Sequence, residues 1–263
     1  MDLGIRDRVA VVAASSRGLG KAVAEALAAE GARLALCARG AETLAATARQ
    51  IEERFGVSVL HRPLDVTDPE AVKSFVEETI DRFGRVDIGV TNAGGPPSKS
   101  FAQTTVEDWR AAFDLNFMST LYLAKELLPH MQRQKWGRLV SITSITVKQP
   151  TEGLILSNAI RAAVAGLMKS LANEYGRDNI LINNVCPGFI ATDRLNQVAA
   201  AQAAAKGATP EQMIERWSSN IPLGRVGRPE EFAALVAYLC SEKAAYVNGT
   251  STAIDGGLAR GLF

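Results

Sequence analysis

Short apolar runs rich in β-branched residues alternate along this chain with longer stretches in which apolar positions recur at helical spacing. Runs at 8–13, 33–38, 57–61, 86–91, 138–143, 180–185 and 251–254 predict seven strands. The stretches between them predict helices over 18–30, 41–55, 69–84, from about 106 onward, 154–175 and 229–240. Near-continuous apolar strands separated by helices indicate a parallel sheet covered on both faces. Helix punctuation agrees. Gly31 closes the first helix, Asp65-Val66-Thr67-Asp68-Pro69 supplies a cap with Pro in the first turn, and Thr104-Thr105-Val106-Glu107-Asp108 offers capping candidates for the fourth. The predicted fold class is α/β, one doubly wound domain over 1–263. The stretch 189–220, Ala-rich over 198–208, reads as a long loop-like insertion that covers the substrate.

Composition narrows the function. The 263 residues suffice for one large buried core, and 47% hydrophobic with 22% charged residues is ordinary for a soluble enzyme-sized protein. A formal net charge of +1 gives no electrostatic case for nucleic acid or an anionic membrane. The first eight residues lack the apolar stretch of a signal peptide, and no uninterrupted apolar run is long enough to span a bilayer. Cys37, Cys186 and Cys240 are odd in number and widely spaced, which argues against a disulfide framework or a metal site. A cytoplasmic setting is expected.

The turn after the first strand is the first chemical signal. Ala13-Ala14-Ser15-Ser16-Arg17-Gly18-Leu19-Gly20 joins strand to helix, where Gly18 and Gly20 let backbone amides approach a pyrophosphate at the helix N-terminus. Ala14 carries a Cβ and is strained if the turn requires positive φ there. At the end of the second strand, where an acidic residue would select NAD, stand Ala38 and Arg39. Arg39 and Arg17 instead suit the 2′-phosphate of NADP(H).

Further along, Ser157 lies thirteen residues after Ser144, and Arg161 four residues after Ser157. With the Gly turn, Leu64-Asp65-Val66, Asn92-Ala93-Gly94, Asn116, Pro187-Gly188 with Thr192, and Asn248-Gly249 with Asp255-Gly256-Gly257, this register resembles the short-chain dehydrogenase/reductase family over essentially the whole chain. The resemblance implies a single-domain Rossmann fold and an oxidoreductase acting on a carbonyl or alcohol, with 3-oxoacyl groups among the substrates of many relatives. Those reductases tend to carry a basic residue where this chain has Asn173. It implies that Asp65 and Val66 face the adenine, that Asn92, Ala93 and Gly94 line the cofactor, and that Pro187, Gly188 and Thr192 border the nicotinamide. It also implies a homotetramer.

In the family a Tyr stands where this chain has Ser157, and a Lys where it has Arg161. Asn116 and Ser144 match the family's relay Asn and substrate-orienting Ser. A phenol of pKa about 10 can be activated by a neighbouring cation, whereas an aliphatic hydroxyl is far less acidic and Ser is shorter. A guanidinium keeps its charge and can stabilise, but it does not shuttle protons. Tyr175 sits eighteen residues beyond Ser157, about 27 Å along a helix, and cannot substitute. Lys148, four residues after Ser144, is a conceivable proton donor on a loop expected to border the cleft, though a solvent-facing lysine is the plainer reading. Two functions therefore compete: an NADP(H)-dependent oxidoreductase with an atypical site, and an NADP(H)-binding sensor, scaffold or oligomer partner with little turnover.

Overall fold

The computed structural model describes residues 2–262. Its strands are β1 (Val9–Ala13), β2 (Arg33–Ala38), β3 (Val59–Pro63), β4 (Ile88–Thr91), β5 (Gly137–Ile142), β6 (Ile180–Pro187) and β7 (Ser251–Ile254). They form one sheet in the order β3-β2-β1-β4-β5-β6-β7, and every neighbouring pair is parallel. The helices are α1 (Gly18–Ala29), α2 (Ala41–Phe55), α3 (Pro69–Phe83), α4 (Val106–Phe113), α5 (Ser119–Gln134), α6 (Ile155–Tyr175), α7 (Asp193–Lys206), α8 (Pro210–Asn220) and α9 (Pro229–Leu239).

Alternation along each strand decides the layers. Val12, Val90, Val140 and Val185 face α1, α2 and α9, where Leu27, Leu44, Ile51 and Phe232 close one core. Val11, Leu139 and Ile182 face α3, α5 and α6, where Phe75, Leu127, Val164 and Met168 close the other. With 24 residues including its 3₁₀ extension, Ile155–Asp178 is long and apolar enough to cross a bilayer. Here it lies on the sheet, with Leu156, Ile160, Val164, Met168 and Ala172 buried.

Local chemistry sets the element ends. Asp68 caps α3 by accepting from Glu70 and Ala71 amides at 3.0 and 3.2 Å, with Pro69 at the first position. Thr105 and Asp108 form the reciprocal capping box of α4.

Four sequence expectations shift. The third strand runs two residues later than 57–61, and the fourth begins at Ile88 rather than at 86. The fourth helix is interrupted: a π-helical turn, Asp114–Met118, separates α4 from α5 and contains Asn116. The stretch 189–220 is a helix pair and not a loop. Leu195, Val198, Ala199, Ala203, Met213 and Trp217 bury one another there, and Phe189 stacks on Trp217 with ring centroids 4.4 Å apart. The small side chains of Ala199 and Ala203 are buried where α7 packs against α8, so this small core belongs to the pair itself.

Candidate active site

The strand order reverses between β1 and β4, and open α/β sheets bind ligands in a crevice beyond the carboxyl ends of the strands at such a point. The turn from β1 into α1 puts Ala14 at φ 50°, a left-handed conformation that disfavours any Cβ. Gly20 packs so closely that an added Cβ would sit 2.3 Å from the Ala14 carbonyl oxygen and 3.0 Å from Asn92 Nδ2. Gly18 has φ 59° and faces Thr192. Arg17 is the N-cap of α1 but supplies no side-chain cap, so the helix presents its first amides to the crevice. The Ser16 carbonyl is tied to Thr47 Oγ1 at 2.9 Å, and Leu19 packs against the core.

Of the remaining sequence-predicted residues, Thr192 and Asn92 meet this turn, at Gly18 and Gly20. Arg17 reaches Asp193 on α7 at 3.4 Å, both side chains being exposed, and such pairs contribute little to stability. Arg39 is exposed at the end of β2, directly before Gly40, the N-cap of α2. Asp65 Oδ1 accepts from the Thr67 amide and hydroxyl at 3.0 and 2.9 Å, and Val66 is buried. Gly188 must lack a side chain because a Cβ would come within 2.7 Å of Asp255 Cβ. Its amide donates to Ile254 O at 3.0 Å, which fixes Pro187-Gly188 at the sheet edge. Thr192 donates to Ile190 O at 3.3 Å. Asn92-Ala93-Gly94 follows β4, and Asn116 Nδ2 donates to Gly94 O at 2.9 Å.

The side chains with the candidate chemistry stand at β5 and α6. Ser144 follows β5 and accepts from the Thr146 amide at 3.2 Å. Ser157, in the first turn of α6, is buried and shares a 3.2 Å hydroxyl contact with Thr146 Oγ1. Arg161 is 7% exposed, and its Nη1 donates to Ile142 O at 2.9 Å while its Nε has no partner among the described residues. Burial pulls its pKa down to about 10, with Arg194 adding to the effect by like charge. Arg161 is still a cation at neutral pH.

Thr146 and Arg194 escaped sequence reading. Arg194, in the first turn of α7, donates to Pro96 O at 2.6 Å and rests on Gly95. Its signal was a cation two residues after Thr192. The partner of Ser157 carried no sequence signal, because Thr146 and Ser157 meet only through the fold. Lys148 faces a cavity of about 230 Å³ lined by Ser251, Ala253, Asp255 and Ala259, next to the C-terminal segment. Beneath the site, Thr91, Ser141 and Asn184 are lateral neighbours on β4, β5 and β6. Thr91 Oγ1, Ser141 Oγ, Asn184 Oδ1 and Asn116 Oδ1 are buried without partners among the described residues, a polar seam suited to ordered water.

The chain matches the family described as enoyl-(acyl carrier protein) reductase over residues 13–259. It is 32% identical over 258 residues to a 3-oxoacyl-acyl-carrier-protein reductase of Aquifex aeolicus, covering 98% of this chain and 100% of that one. L-sorbose reductase from Gluconobacter frateurii, solved with NADPH and L-sorbose, superposes with a TM-score of 0.94 at 35% identity, covering 100% of both chains. Actinorhodin polyketide ketoreductase (F189W) with NADPH gives a TM-score of 0.93 at 31% identity, covering 97% of this chain and 98% of that one. With the parallel seven-stranded sheet and the glycine turn, these relationships establish that the chain belongs to the short-chain dehydrogenase/reductase family.

Proposed function

We propose that the protein is an NADP(H)-dependent oxidoreductase acting on a carbonyl or its alcohol, with Ser157 and Arg161 at the positions the family gives to Tyr and Lys. The turn at 14–20 supports this reading: α1 begins without a side-chain cap, beside Gly18 at φ 59° and Gly20, where a Cβ would strike the Ala14 carbonyl. Ala14, Ser16, Arg17, Gly18, Leu19 and Gly20 hold the pyrophosphate, while Arg17 and Arg39 meet the 2′-phosphate. Asp65 and Val66 take the adenine. Asn92, Ala93, Gly94, Pro187, Gly188 and Thr192 line the nicotinamide half, and Arg161 binds its ribose. The NADPH of the sorbose reductase and the ketoreductase supports the choice of NADP(H) over NAD(H).

When bound, the cofactor supplies the hydride equivalent. Ser144 orients the substrate oxygen by hydrogen bonding, and the charge on Arg161 stabilises negative charge developing nearby. Asn116 holds Gly94 in position through its 2.9 Å bond. The helix pair α7–α8 covers the substrate. No phenol stands at Ser157, and loss of a positioned general acid typically costs about 10²- to 10⁴-fold in rate. A slow enzyme is expected.

The 3.2 Å contact between Ser157 and Thr146 favours a second reading, a cofactor-binding protein with little turnover, since that hydroxyl is turned to a protein partner. The deciding experiment measures NADPH binding and then turnover on a carbonyl panel, for wild type and for Ser157→Tyr/Arg161→Lys. Wild-type turnover supports the enzyme. Binding without turnover, with activity gained by the double variant, supports the second reading. Failure to bind NADPH overturns both.

A further inference from the structure

Three segments follow the carboxyl ends of β4, β5 and β6 next to candidate site residues: 95–101 after Asn92-Ala93-Gly94, 145–154 after Ser144, and α7 after Thr192. They are joined end to end. Arg194, in the first turn of α7, donates to Pro96 O at 2.6 Å. Lys99 pairs with Leu154 in an isolated parallel bridge. Glu152 then meets the later turns of α7. Its carbonyl accepts from Gln202 Nε2 at 3.4 Å, and its carboxylate accepts from Lys206 Nζ at 3.2 Å. The contacts close a ring through all three segments.

The links are unequal. Lys206 and Glu152 are exposed, and such a pair contributes little to stability. The Arg194 bond is short, half-buried and charge-assisted, which makes it the strongest tie. The guanidinium also occupies the space beside Gly95, where a Cβ would stand 2.7 Å from Nε and Nη2 and 2.9 Å from Cζ. On the same loop, Gly94 O accepts from Asn116 Nδ2 at 2.9 Å. Residues 94–96 are thus held both by the π-turn and by α7. Burial draws the Arg194 pKa below the ordinary guanidinium value, so this donor is costly to leave without its acceptor.

We infer that Arg194 is a positioning residue: seated on Gly95 and Pro96 O, it fixes the loop after Asn92-Ala93-Gly94 and closes the ring, so that loop and helix pair order as one. The inference deepens the oxidoreductase reading, on which its functional half rests, because that loop borders the nicotinamide half of the cofactor. A lysine at 194 could reach Pro96 O with one donor but lacks the planar fork that lies beside Gly95.

The test digests the full ligand-free chain with trypsin under native conditions and follows cleavage after Lys99 and Lys206 by mass spectrometry. With cleavage slow relative to reclosing, its rate reports how often each segment is released. Arg194→Met keeps the length but removes every donor, and is expected to speed both cuts by at least about tenfold. Arg194→Lys should recover part of that protection, since its ammonium can still donate to Pro96 O. Gly95→Ala should reproduce Arg194→Met because its methyl displaces the guanidinium, and combining the two should add little. NADPH affinity, read by quenching of tryptophan fluorescence, should fall at least about threefold in Arg194→Met and partly return in Arg194→Lys. An unchanged cut after Lys99, no recovery with lysine, additive effects of the two substitutions, or unaltered NADPH affinity in Arg194→Met overturns the inference. Equal acceleration of the cut after Lys169, on α6, also overturns it and makes the arginine a general stabiliser. If wild type does not bind NADPH, the oxidoreductase reading falls, while the digestion still decides what Arg194 holds in place.

Discussion

Ser157 Oγ and Thr146 Oγ1 lie 3.2 Å apart in a buried contact, and Thr146 also reaches the Ser157 carbonyl at 3.3 Å. The hydroxyl at the start of α6 is therefore a fixed partner of the loop after β5. Thr146→Val strands the Ser157 hydroxyl and should cost about 1–3 kcal/mol. Ser157→Ala should cost about 1 kcal/mol and change turnover by less than about tenfold, because the hydroxyl is committed elsewhere. Chemical denaturation of the two single variants and the double variant measures the coupling. A drop in turnover of a hundredfold or more for Ser157→Ala would show that the hydroxyl takes part in the reaction.

Arg161 is held in the core at a free-energy penalty. A pKa lowered from 12.5 to about 10 in a fully buried group corresponds to about 3 kcal/mol set against its charged form. Below pH 10 the cation is present in both folded and unfolded chains, so the whole penalty applies at neutral pH; between about 10 and 12.5 stability rises with pH. Arg161→Met should raise stability by about 1–3 kcal/mol, a few degrees in Tm, while weakening NADPH binding. Thermal melts with and without NADPH check both halves. A lower Tm in the absence of ligand would contradict the account.

Ala14 at φ 50° should accept glycine gladly. Left-handed backbone costs a residue with a Cβ about 1–2 kcal/mol, partly offset by the greater unfolded entropy of glycine. Ala14→Gly is expected to raise Tm slightly and to leave NADPH affinity unchanged or tighter. Gly20→Ala is the opposite case: its Cβ would meet the Ala14 carbonyl at 2.3 Å, and both stability and binding should fall.

Glu231 ties the N-terminus of α9 together. It accepts from Arg225 at 2.9 and 2.7 Å and from the Arg228 amide at 2.8 Å, and the Arg225 guanidinium with that amide pulls its pKa down to about 2. A depressed carboxylate pKa stabilises the fold above its unfolded value of 4.5, and that contribution fades as pH falls through about 2. Glu231→Gln should therefore lower Tm at pH 7, and the gap from wild type should close between pH 4.5 and 2. A gap independent of pH would assign the effect to packing.

Much of this was legible in the chain because the signals are local. Seven apolar runs marked the strands, and the Gly18–Gly20 spacing marked the turn between β1 and α1, down to the left-handed Ala14. What stayed hidden depends on distant partners. The π-turn around Asn116 has no periodicity of its own; there the helix admits an extra residue, and the Asn side chain reaches Gly94, twenty-two positions back. Ala199 and Ala203 showed no face toward a sheet because they bury against Trp217 and Met213 instead. Arg194 was overlooked because its bond to Pro96 O emerges only once α7 is laid across the loop at 94–96.

That helix pair has one more consequence. Since α7 and α8 close a core of their own, separate from the two that clamp the sheet, they constitute a cooperative unit able to open while β4, β5 and β6 stay paired. Amide hydrogens within 193–220 should exchange at a lower opening free energy than those of the central strands. The molecule should then show two opening thresholds, the lower one at the helix pair.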